Sequence, residues 1–568
     1  MTWNLKAKVS LPPTLKSLSL NTVTLELLLQ RGFLKKEKIQ KFLNTDFGNL
    51  HSPCLLSGVK EAVTRIIQAR NKKEKIVIFG DYDADGITST AILKEVLGEI
   101  GIEVYSYIPD RNKEGYGLNK KALDFIAAEY RPKLLITVDC GISNSEEIGY
   151  AQKKGIEVIV TDHHSIPKIL PKNIILINPK LPDQKYPFRE LAGVGVVYKL
   201  SQALYQEILP AKVEQLKWFL DLVAIGTIAD CVPLVDENRV FAKFGLIVLQ
   251  KTKRLGVQEI IKTARLNINE QNPPNAENIA FQIGPRFNAA GRMDHADIAL
   301  NLLTEKDPVK ARLAALEIES KNSERQKVTQ HVYEEVKKTL APREDHKLII
   351  RKGEHWPLGI LGVVAGKIAD EYCCPTFILR ETGDLLEGSG RSIEAFDLIK
   401  NVSQLDQHLE KFGGHAQAMG IKVKKNKLAL FENGLLSLIE KKYTPEKWGK
   451  AISADIEIDP NNLDWDIISE IKKFEPFGEG NREPIFLSHN LSIQEMKIVG
   501  NGQKHLKLKL GTTENGAKSF EAIFFKGVAS AKDVKVGDSV SALYNLRSSE
   551  WNGNHRIEMN IIDLEKSK

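Results

Sequence analysis

Three aspartates stand at alternate positions in the stretch VIFGDYDADG (77–86), directly after an apolar run. Their carboxylates would repel one another, and no lysine or arginine lies among them. Several carboxylates in one place stay ionised only when something positive joins them, so this spacing predicts a bound divalent cation. The three residues are Asp81, Asp83 and Asp85.

Two further acidic motifs have the same placement after apolar, β-branched runs. VDCG carries Asp139, and TDHH carries Asp162, His163 and His164. Helix-like periodicity separates the runs, and this alternation predicts a parallel sheet flanked by helices. Because ligands bind at the carboxyl ends of the strands in open α/β sheets, the motifs should converge in one cleft. The runs are KIVIF (75–79), LLITV (134–138) and EVIVT (157–161).

The donor set favours Mn²⁺ or Mg²⁺, because oxygen ligands with one or two imidazoles suit these ions better than a thiolate zinc site does. Two such ions about 3.5–4 Å apart would clamp a scissile phosphate and activate water. We expect Asp83 and Asp85 to face the cleft together, since alternate residues of an extended chain share a side. For Asp81 and Asp162 a turn-capping role, or a role in orienting the ligands, stays open.

Composition limits the class of protein. The chain has 568 residues with a net charge of +7, which permits a polyanionic partner without requiring one. Five cysteines, with only one adjacent pair, indicate a reducing compartment. Neither a membrane-spanning apolar run nor the apolar core of a secretory signal is present in the sequence, so we expect a cytoplasmic protein without a membrane partner.

Changes in periodicity along the chain predict five segments. One of them is a long helix whose centre, from Glu319 to Lys327, has no apolar residue, which is typical of a helix that bridges two bodies through solvent. A second α/β pattern follows it, and the last part has short strands separated by turn signals. The predicted segments are an N-terminal helical cap (1–70), a catalytic domain (71–308), the bridging helix (309–340), a second α/β domain (341–445) and a small all-β domain (446–568).

In their order along the chain, DYDADG, VDCG, TDHH and GTIADCVPL resemble the DHH phosphoesterase superfamily. Within it, GPRFNAAGRM (284–293), GSGRS (388–392), GGHAQAMG (413–420) and FEPFGEGNREPIF (474–486) are similar to motifs of the RecJ family of single-strand DNA exonucleases. The resemblance covers roughly residues 45–568. It implies an α/β fold with a DHH parallel-sheet domain and a DHHA1 α/β domain joined by a long helix, plus a C-terminal all-β OB-fold.

The resemblance implies catalytic roles at the metal centre. Asp83 would bind one metal ion, Asp139 would bridge both, and three residues would hold the other ion. One of these three, Asp230, ends an apolar helical run and by itself would be only a turn residue. His164 would lie close to the phosphate as an acid or a hydrogen-bond donor. The ligands of the second ion would be Asp85, His163 and Asp230.

A glycine-rich turn holds Ser389 and Arg391. Glycine lets the backbone approach a ligand closely, and arginine pairs bidentately with phosphate, so we expect phosphate binding here. An ordinary loop with a solvated arginine is the alternative. His415, which follows two glycines, could donate to a phosphate oxygen or be structural.

Two other motifs add candidate DNA-binding residues. Arg286 and Asn288 fit a second phosphate clamp, with an arginine that ties two loops together as the alternative. The resemblance suggests that Arg111 holds the 5′-terminal phosphate and that Tyr116 stacks on a base. The alternative for this pair is a surface turn with a packed tyrosine.

The resemblance implies a single-stranded-DNA-specific 5′→3′ exonuclease that releases 5′-mononucleotides by two-metal hydrolysis, in DNA repair and recombination. It also suggests two partners, single-strand DNA-binding protein and a RecQ-type helicase. We expect a channel between the two α/β bodies that excludes duplex by its width. One alternative is a DHH phosphodiesterase for short oligoribonucleotides or cyclic dinucleotides, although such relatives typically lack the C-terminal barrel. Another is a non-catalytic strand-binding scaffold, but that predicts lost acids, and here they are present.

Overall fold

The computed structural model describes residues 2–111, 114–115, 117–293, 295–342, 346–442, 451–500, 502–512, 518–551 and 554–567. The chain forms two compact units. The larger is Leu50–Gly449, and the smaller combines Met1–Asn49 with Lys450–Lys568. In the described part of the chain, no helix is long and apolar enough to cross a lipid bilayer.

The smaller unit begins with β1 (Thr2–Leu5), α1 (Thr22–Gln30) and α2 (Lys36–Leu43). Helix α1 starts where the Asn21 side chain accepts a hydrogen bond from the backbone N–H of Val23. The two helices bury apolar side chains, among them Leu28 and Phe42, in a core that they share with the C-terminal segment. The beginning and the end of the chain therefore fold as one body.

The larger unit opens with α3 (Val59–Asn71) and a parallel sheet. Its strands are β2 (Ile76–Gly80), β3 (Val104–Tyr107), β4 (Leu134–Val138), β5 (Glu157–Thr161) and β6 (Ile175–Ile177). They lie in the order β3-β2-β4-β5-β6, and all neighbours are parallel. Between them run α4 (Ala84–Glu99), α5 (Lys120–Glu129) and α6 (Ser145–Lys153). The predicted parallel sheet is thereby confirmed.

Helices cover both faces of this sheet. On one face α5 and α6 pack over alternate strand residues such as Val77, Leu135 and Val160. On the other face α4 packs with two buried helices that follow the sheet, α7 (Gly193–Ile208) and α8 (Leu220–Ala229). The chain continues through α9 (Asp236–Gln250), α10 (Leu255–Thr263), α11 (Ala276–Asn278), a π-helix (Ile279–Ile283), α12 (Gly284–Met293) and α13 (Asp297–Thr304).

The long helix α14 (Pro308–Lys338) has 31 residues. Its polar centre is not surrounded by solvent, contrary to the prediction, because α14 packs against α12. There Asn322 is 1% exposed, and the Glu319 carboxylate pairs with Arg286. Polar side chains thus form a packed contact inside the larger unit, in which Glu319 pairs across the interface and Asn322 accepts a hydrogen bond from Arg325 of the same helix.

A second sheet completes the larger unit. Its elements are β7 (Ile349–Gly353), α15 (Leu358–Tyr372), β8 (Thr376–Thr382), β9 (Leu385–Arg391), α16 (Leu398–Val402), β10 (Lys411–Gly414), β11 (Ala418–Lys424) and α17 (Leu428–Lys442). The strand order is β10-β11-β9-β8-β7, with only β7 and β8 parallel. Helix α15 also packs against α14, which places this sheet next to the first α/β body.

The smaller unit ends in a closed β-barrel. After β12 (Ala451–Ala454), which pairs with β1, come β13 (Ile456–Glu457), α18 (Trp465–Lys472), β14 (Phe486–Val499), β15 (His505–Thr512), β16 (Ser519–Phe524), β17 (Ser539–Trp551) and β18 (Asn554–Lys566). The pairing of β14 with β17 closes the ring. Closure removes the open edges of the sheet, and it confirms the predicted OB-fold.

Candidate active site

Three acidic motifs lie side by side at one edge of the first sheet. Gly80, the last residue of β2, pairs with Val138 of β4, which pairs with Thr161 of β5. The next residue on each strand is an aspartate. Strand register alone therefore brings Asp81, Asp139 and Asp162 together.

The sequence pattern predicted that Asp83 and Asp85 lie on the same side of an extended chain. In the structure only Asp83 is extended, and Asp85 is helical. Asp83 is the N-cap of α4, because its Oδ1 accepts hydrogen bonds from the N–H groups of Asp85 (3.0 Å) and Gly86 (3.1 Å). This cap starts the helix at Ala84, so Asp85 already lies in the first turn. The Asp85 carboxylate accepts from the N–H groups of Gly193 (2.7 Å) and Val194 (2.8 Å), where α7 begins.

The imidazole of His163 faces three carboxylates. Its Nε2 lies 3.1 Å from Asp139 Oδ1, 3.5 Å from Asp230 Oδ2 and 3.8 Å from Asp85 Oδ2. Burial, and then the charge of His164, lower the pKa of His163 to about 3, so the ring is neutral. A neutral imidazole is the form that binds a metal ion.

Donor atoms converge in three overlapping groups of side chains, each within 4.8 Å. Burial raises the pKa values of Asp81, Asp139 and Asp230 well above the ordinary range, and the neighbouring carboxylates raise them further. Among the described residues, Asp139 Oδ1 and His163 Nε2 have no hydrogen-bond partner although both are buried. A buried carboxylate oxygen and a buried imidazole nitrogen that face each other without hydrogen-bond partners fit a shared cation. The groups are Asp85–His163–Asp230, Asp81–Asp83–Asp139 and Asp139–His163–His164.

Two glycines that the sequence pattern did not single out make room for these carboxylates. A Cβ on Gly193 would stand 2.7 Å from Asp139 Oδ1. A Cβ on Gly226 would stand 2.9 Å from Asp85 Oδ1 and 2.5 Å from Thr88 Oγ1. Their only signal in the sequence is a glycine inside an apolar helical run, which often marks a close approach of two elements.

Asp162 holds the two histidines in place. Its Oδ1 accepts from the N–H groups of His163 (2.7 Å) and His164 (3.0 Å) and lies 2.8 Å from His164 Nδ1, while its Oδ2 accepts from Ile142 N (2.9 Å). Burial lowers the pKa of His164, but the hydrogen bond to Asp162 and the charges of Asp162, Asp230 and Asp81 together raise it to about 9. His164 is therefore a cation at neutral pH. Asp162 is not part of the three donor groups.

The basic half of the site comes from the second sheet and from the loop after β3. The Arg391 guanidinium and the Ser389 hydroxyl both lie over Gly362 of α15, where a Cβ would stand 2.8 Å from Arg391 Nη2 and 3.4 Å from Ser389 Oγ. Burial lowers the pKa of Arg391, and the charge of Arg111 lowers it further. Burial lowers the pKa of His415, with a further contribution from the charge of His164. The second sheet thus faces the metal-binding groups.

The other predicted DNA-binding residues have different surroundings. Arg286 Nε lies 2.5 Å from Glu319 Oε2, and its Nη1 donates to the Gln282 carbonyl (2.6 Å). Asn288 Oδ1 accepts from Ala84 N (2.8 Å), so this amide supports the start of α4. Tyr116 lies outside the described residues.

The sequence pattern did not single out two further arginines, Arg292, which lies near Arg111, and Arg325, which lies near Arg292. Arg292 Nη1 donates to the Gly359 carbonyl of α15 (3.1 Å), and Arg325 Nη2 donates to Asn322 Oδ1 (2.9 Å). Burial lowers the pKa of Arg292 to about 10, and the charges of Arg111 and Arg325 contribute. Buried cations that repel one another favour a bound anion. Arg292 lies in GPRFNAAGRM, a motif of the family resemblance, and this was the signal available in the sequence.

The arrangement matches known sequence families along most of the chain. The model of the DHH family, N-terminal domain, matches residues 75–227, that of the DHHA1 domain residues 345–441, and that of the RecJ OB domain residues 454–563. The single-stranded-DNA-specific exonuclease RecJ of Bacillus subtilis is 36% identical over 97% of this chain and 69% of its own length. RecJ of Haemophilus influenzae is 32% identical over 92% of this chain and 93% of its own length.

The chain belongs to the RecJ family. RecJ of Escherichia coli adds a relative that is 31% identical over 89% of this chain and 90% of its own. A crystal structure of Thermus thermophilus RecJ in complex with Mn²⁺ superposes with a TM-score of 0.82 at 27% identity, covering 100% of this chain and 80% of that one. RecJ from the same organism in complex with Mg²⁺ superposes with a TM-score of 0.77 at 26% identity, covering 100% of this chain and 79% of that one.

Proposed function

We propose that this chain is a metal-dependent exonuclease that degrades single-stranded DNA from the 5′ end and releases 5′-mononucleotides, in DNA repair and recombination. One observation carries the proposal. The donor groups around Asp139 and His163 lie near the second sheet, because the charge of His164 lowers the pKa of His415, and the closed barrel adds a nucleic-acid-binding fold to the same chain. Membership of the RecJ family supports the choice of substrate.

We propose that Asp83 binds one metal ion, that Asp139 bridges both, and that Asp85, His163 and Asp230 hold the other. The donor groups support this division, because Asp83 and Asp85 belong to different groups. Two divalent cations, Mn²⁺ or Mg²⁺, would supply the charge that polarises the scissile phosphate and acidifies a water molecule.

The remaining residues of the cleft bind and orient the strand. His164, held as a cation by Asp162, donates a hydrogen bond to the phosphate. Arg111, Ser389, Arg391 and His415 hold the 5′-terminal phosphate, which sets the direction of degradation. Arg286 and Asn288 support the strand farther along, and Tyr116 stacks on a base.

Polarity on end-labelled single strands tests the proposal. With Mn²⁺, a 5′ label is released at once as a mononucleotide, whereas a 3′ label appears in a ladder of shortening products. A chelator stops both, and blunt duplex is degraded much more slowly than single strands. Degradation from the 3′ end, or cleavage of a circular single strand, contradicts the proposal.

A comparison of substrates separates this proposal from a phosphodiesterase for short oligonucleotides. The match to the RecJ OB domain favours long strands. We therefore expect kcat/KM on a long single strand to exceed that on a dinucleotide. A preference for dinucleotides or cyclic dinucleotides contradicts this.

We further propose a cytoplasmic location and two protein partners, single-strand DNA-binding protein and a RecQ-type helicase. The location is supported by the five cysteines, none of which forms a disulfide in the described part of the chain. The partners are supported by the family resemblance. Co-purification with either protein from the cytoplasmic fraction tests both statements, and recovery of the chain only from another fraction contradicts the location.

A further inference from the structure

One exposed aromatic side chain belongs to the π-helix that packs beside α8. Phe281 is 77% exposed, the largest exposed fraction of any large apolar side chain in the described part of the chain. A phenylalanine so far out of the core is costly, because its apolar surface stays in water. It is also absent from the aromatic contacts of the described residues.

The backbone holds this ring rigidly. Phe281 is the middle residue of the π-helix Ile279–Ile283, in which both end residues, Ile279 and Ile283, are fully buried. Short π-helical turns are rare and occur often at functional sites. Because Ile279 and Ile283, two positions to either side, are anchored in the core, Phe281 projects from a fixed point.

That fixed point lies close to a proposed metal ligand. A Cβ on Gly284, the residue after the π-helix, would stand 3.0 Å from the Cβ of Ala229. Ala229 is the last residue of α8, and Asp230 is its C-cap. The π-helix therefore packs beside the end of α8 from which the Asp230 carboxylate reaches the cluster.

The polar groups around the ring are already satisfied. The Gln282 carbonyl accepts from Arg286 Nη1 (2.6 Å), and the Gln282 side chain accepts from Asn278 Nδ2 (3.0 Å). The aromatic face is thus the group at this position that lacks a partner among the described residues.

The direction of α12 tells on which side of the scissile bond Phe281 lies. The far end of α12 contacts α15 through Arg292 and Gly359, next to the turn over which Arg391 lies. Phe281 precedes the other end, about 16 Å away at 1.5 Å per residue. If the 5′-terminal phosphate lies at Arg391, we place Phe281 on the part of the strand farther from that end.

We propose that Phe281 is a stacking platform for a nucleobase on the 3′ side of the scissile phosphate. The inference rests on the proposed function and deepens it, because it assigns a residue that holds the next part of the strand. Stacking on an aromatic ring accepts every base, which suits an exonuclease that must not depend on sequence.

Kinetics of two variants and one control test the proposal. Phe281→Ala should raise KM for a long 5′-phosphorylated single strand about ten-fold, within the roughly 5- to 150-fold range of one base stack, and leave kcat unchanged. Phe281→Trp should retain the wild-type KM. The matched control is Phe125→Ala, an exposed phenylalanine on α5, on the opposite face of the sheet from α8.

Abasic nucleotides locate the stacked base. In the wild type, a single abasic residue should raise KM at one position a few nucleotides from the 5′ end. In Phe281→Ala the same substitution should have no further effect, because the partner ring is gone. An unchanged KM in Phe281→Ala, or an abasic effect of the same size in both proteins, overturns the proposal. An unchanged KM would point to a protein partner at this surface instead.

Failure of the proposed function gives a different result. If the wild-type chain does not degrade single strands, binding of fluorescent oligothymidylate by anisotropy still measures the contribution of Phe281. Equal affinity of wild type and Phe281→Ala for that probe then overturns the stacking proposal on its own.

Discussion

At the scale of single residues, the candidate metal centre depends on Asp139. Its carboxylate belongs to two of the three donor groups. Its backbone φ is +60°, a left-handed conformation that aspartate and asparagine adopt more readily than most residues. Asp139 Oδ1 lies 3.1 Å from His163 Nε2 and has no hydrogen bond among the described residues, an arrangement that fits a cation between them.

Asp139→Asn should abolish nuclease activity and leave DNA binding largely intact. Asparagine keeps the backbone conformation and the size of the side chain, but it removes the charge that balances two cations. Loss of a residue that hydrogen-bonds a metal ligand typically lowers metal affinity roughly 10- to 100-fold. We expect the affinity for Mn²⁺ to fall by more than this. Calorimetry measures the affinity for Mn²⁺, single-turnover cleavage measures the nuclease activity, and anisotropy measures DNA binding. Asp183→Asn, an exposed carboxylate of the same domain, is the control. Normal cleavage by Asp139→Asn would contradict the bridging role.

Gly193→Ala should impair the metal centre without unfolding the protein. The new Cβ would stand 2.7 Å from Asp139 Oδ1, so the carboxylate must move. We expect weaker Mn²⁺ binding and a lower kcat. The control is Gly149→Ala on α6, where a Cβ meets nothing within 4 Å. There the helix should gain about 0.5–1 kcal/mol, and activity should stay constant. Wild-type Mn²⁺ affinity in Gly193→Ala would contradict the close approach.

At the scale of elements, a buried ion pair joins α7 and α9 to the segment before α3. Lys199 Nζ lies 2.6 Å from Glu237 Oε1, and both side chains are 0% exposed. Lys199 Nζ also donates to the His51 carbonyl (2.7 Å), and Glu237 Oε1 accepts from His51 N (2.8 Å). These helices carry Gly193 and pack around the cluster, so their position affects the site.

Lys199→Met should destabilise the larger unit by about 3–5 kcal/mol, because it leaves the Glu237 carboxylate buried without its cation. Urea unfolding monitored by circular dichroism measures the change. The control is Lys217→Met, which breaks an exposed pair with Glu214 and should cost no more than about 1 kcal/mol. Equal losses of unfolding free energy in the two variants would contradict a larger contribution from the buried pair.

At the scale of the whole molecule, the positions of the charged side chains matter more for binding a polyanion than the net charge does. The net charge of +7 is modest for 568 residues. Yet Arg292 lies near Arg111 and Arg325, Arg391 lies near Arg111, and none of these four arginines is in an ion pair with a described residue. Such a cluster attracts a polyanion strongly at low salt.

Arg391→Gln should weaken the binding of 5′-phosphorylated single strands and reduce its dependence on salt. Each phosphate contact on a single strand contributes about 0.7 to the slope of log K against log salt. The slope should therefore become shallower by about that amount, and the preference for a 5′-phosphate should disappear. Anisotropy titrations at several salt concentrations measure both. Arg131→Gln, an exposed arginine after α5, should change neither. An unchanged slope in Arg391→Gln would contradict a phosphate contact.

Local patterns predicted the elements and part of the site. Strands β2, β4 and β5 were predicted from short β-branched runs, and the acids at their ends were brought together because parallel strands have a common direction. Helix α4 starts at Ala84 because of the Asp83 cap. Periodicity does not register a cap in a polar turn, so it did not predict that Asp83 is extended while Asp85 is helical.

The sequence by itself determined the parallel sheet, the second α/β body, the barrel, and the types of donor atom at the strand ends. These follow from periodicity over a few residues and from the order of the motifs. Only the tertiary structure decided that Gly193 and Gly226 make room for the carboxylates, that Glu319 holds Arg286, and that residues 1–49 share a core with the C-terminal segment. Such contacts join residues far apart in the chain, and their energy depends on distances that no local pattern contains.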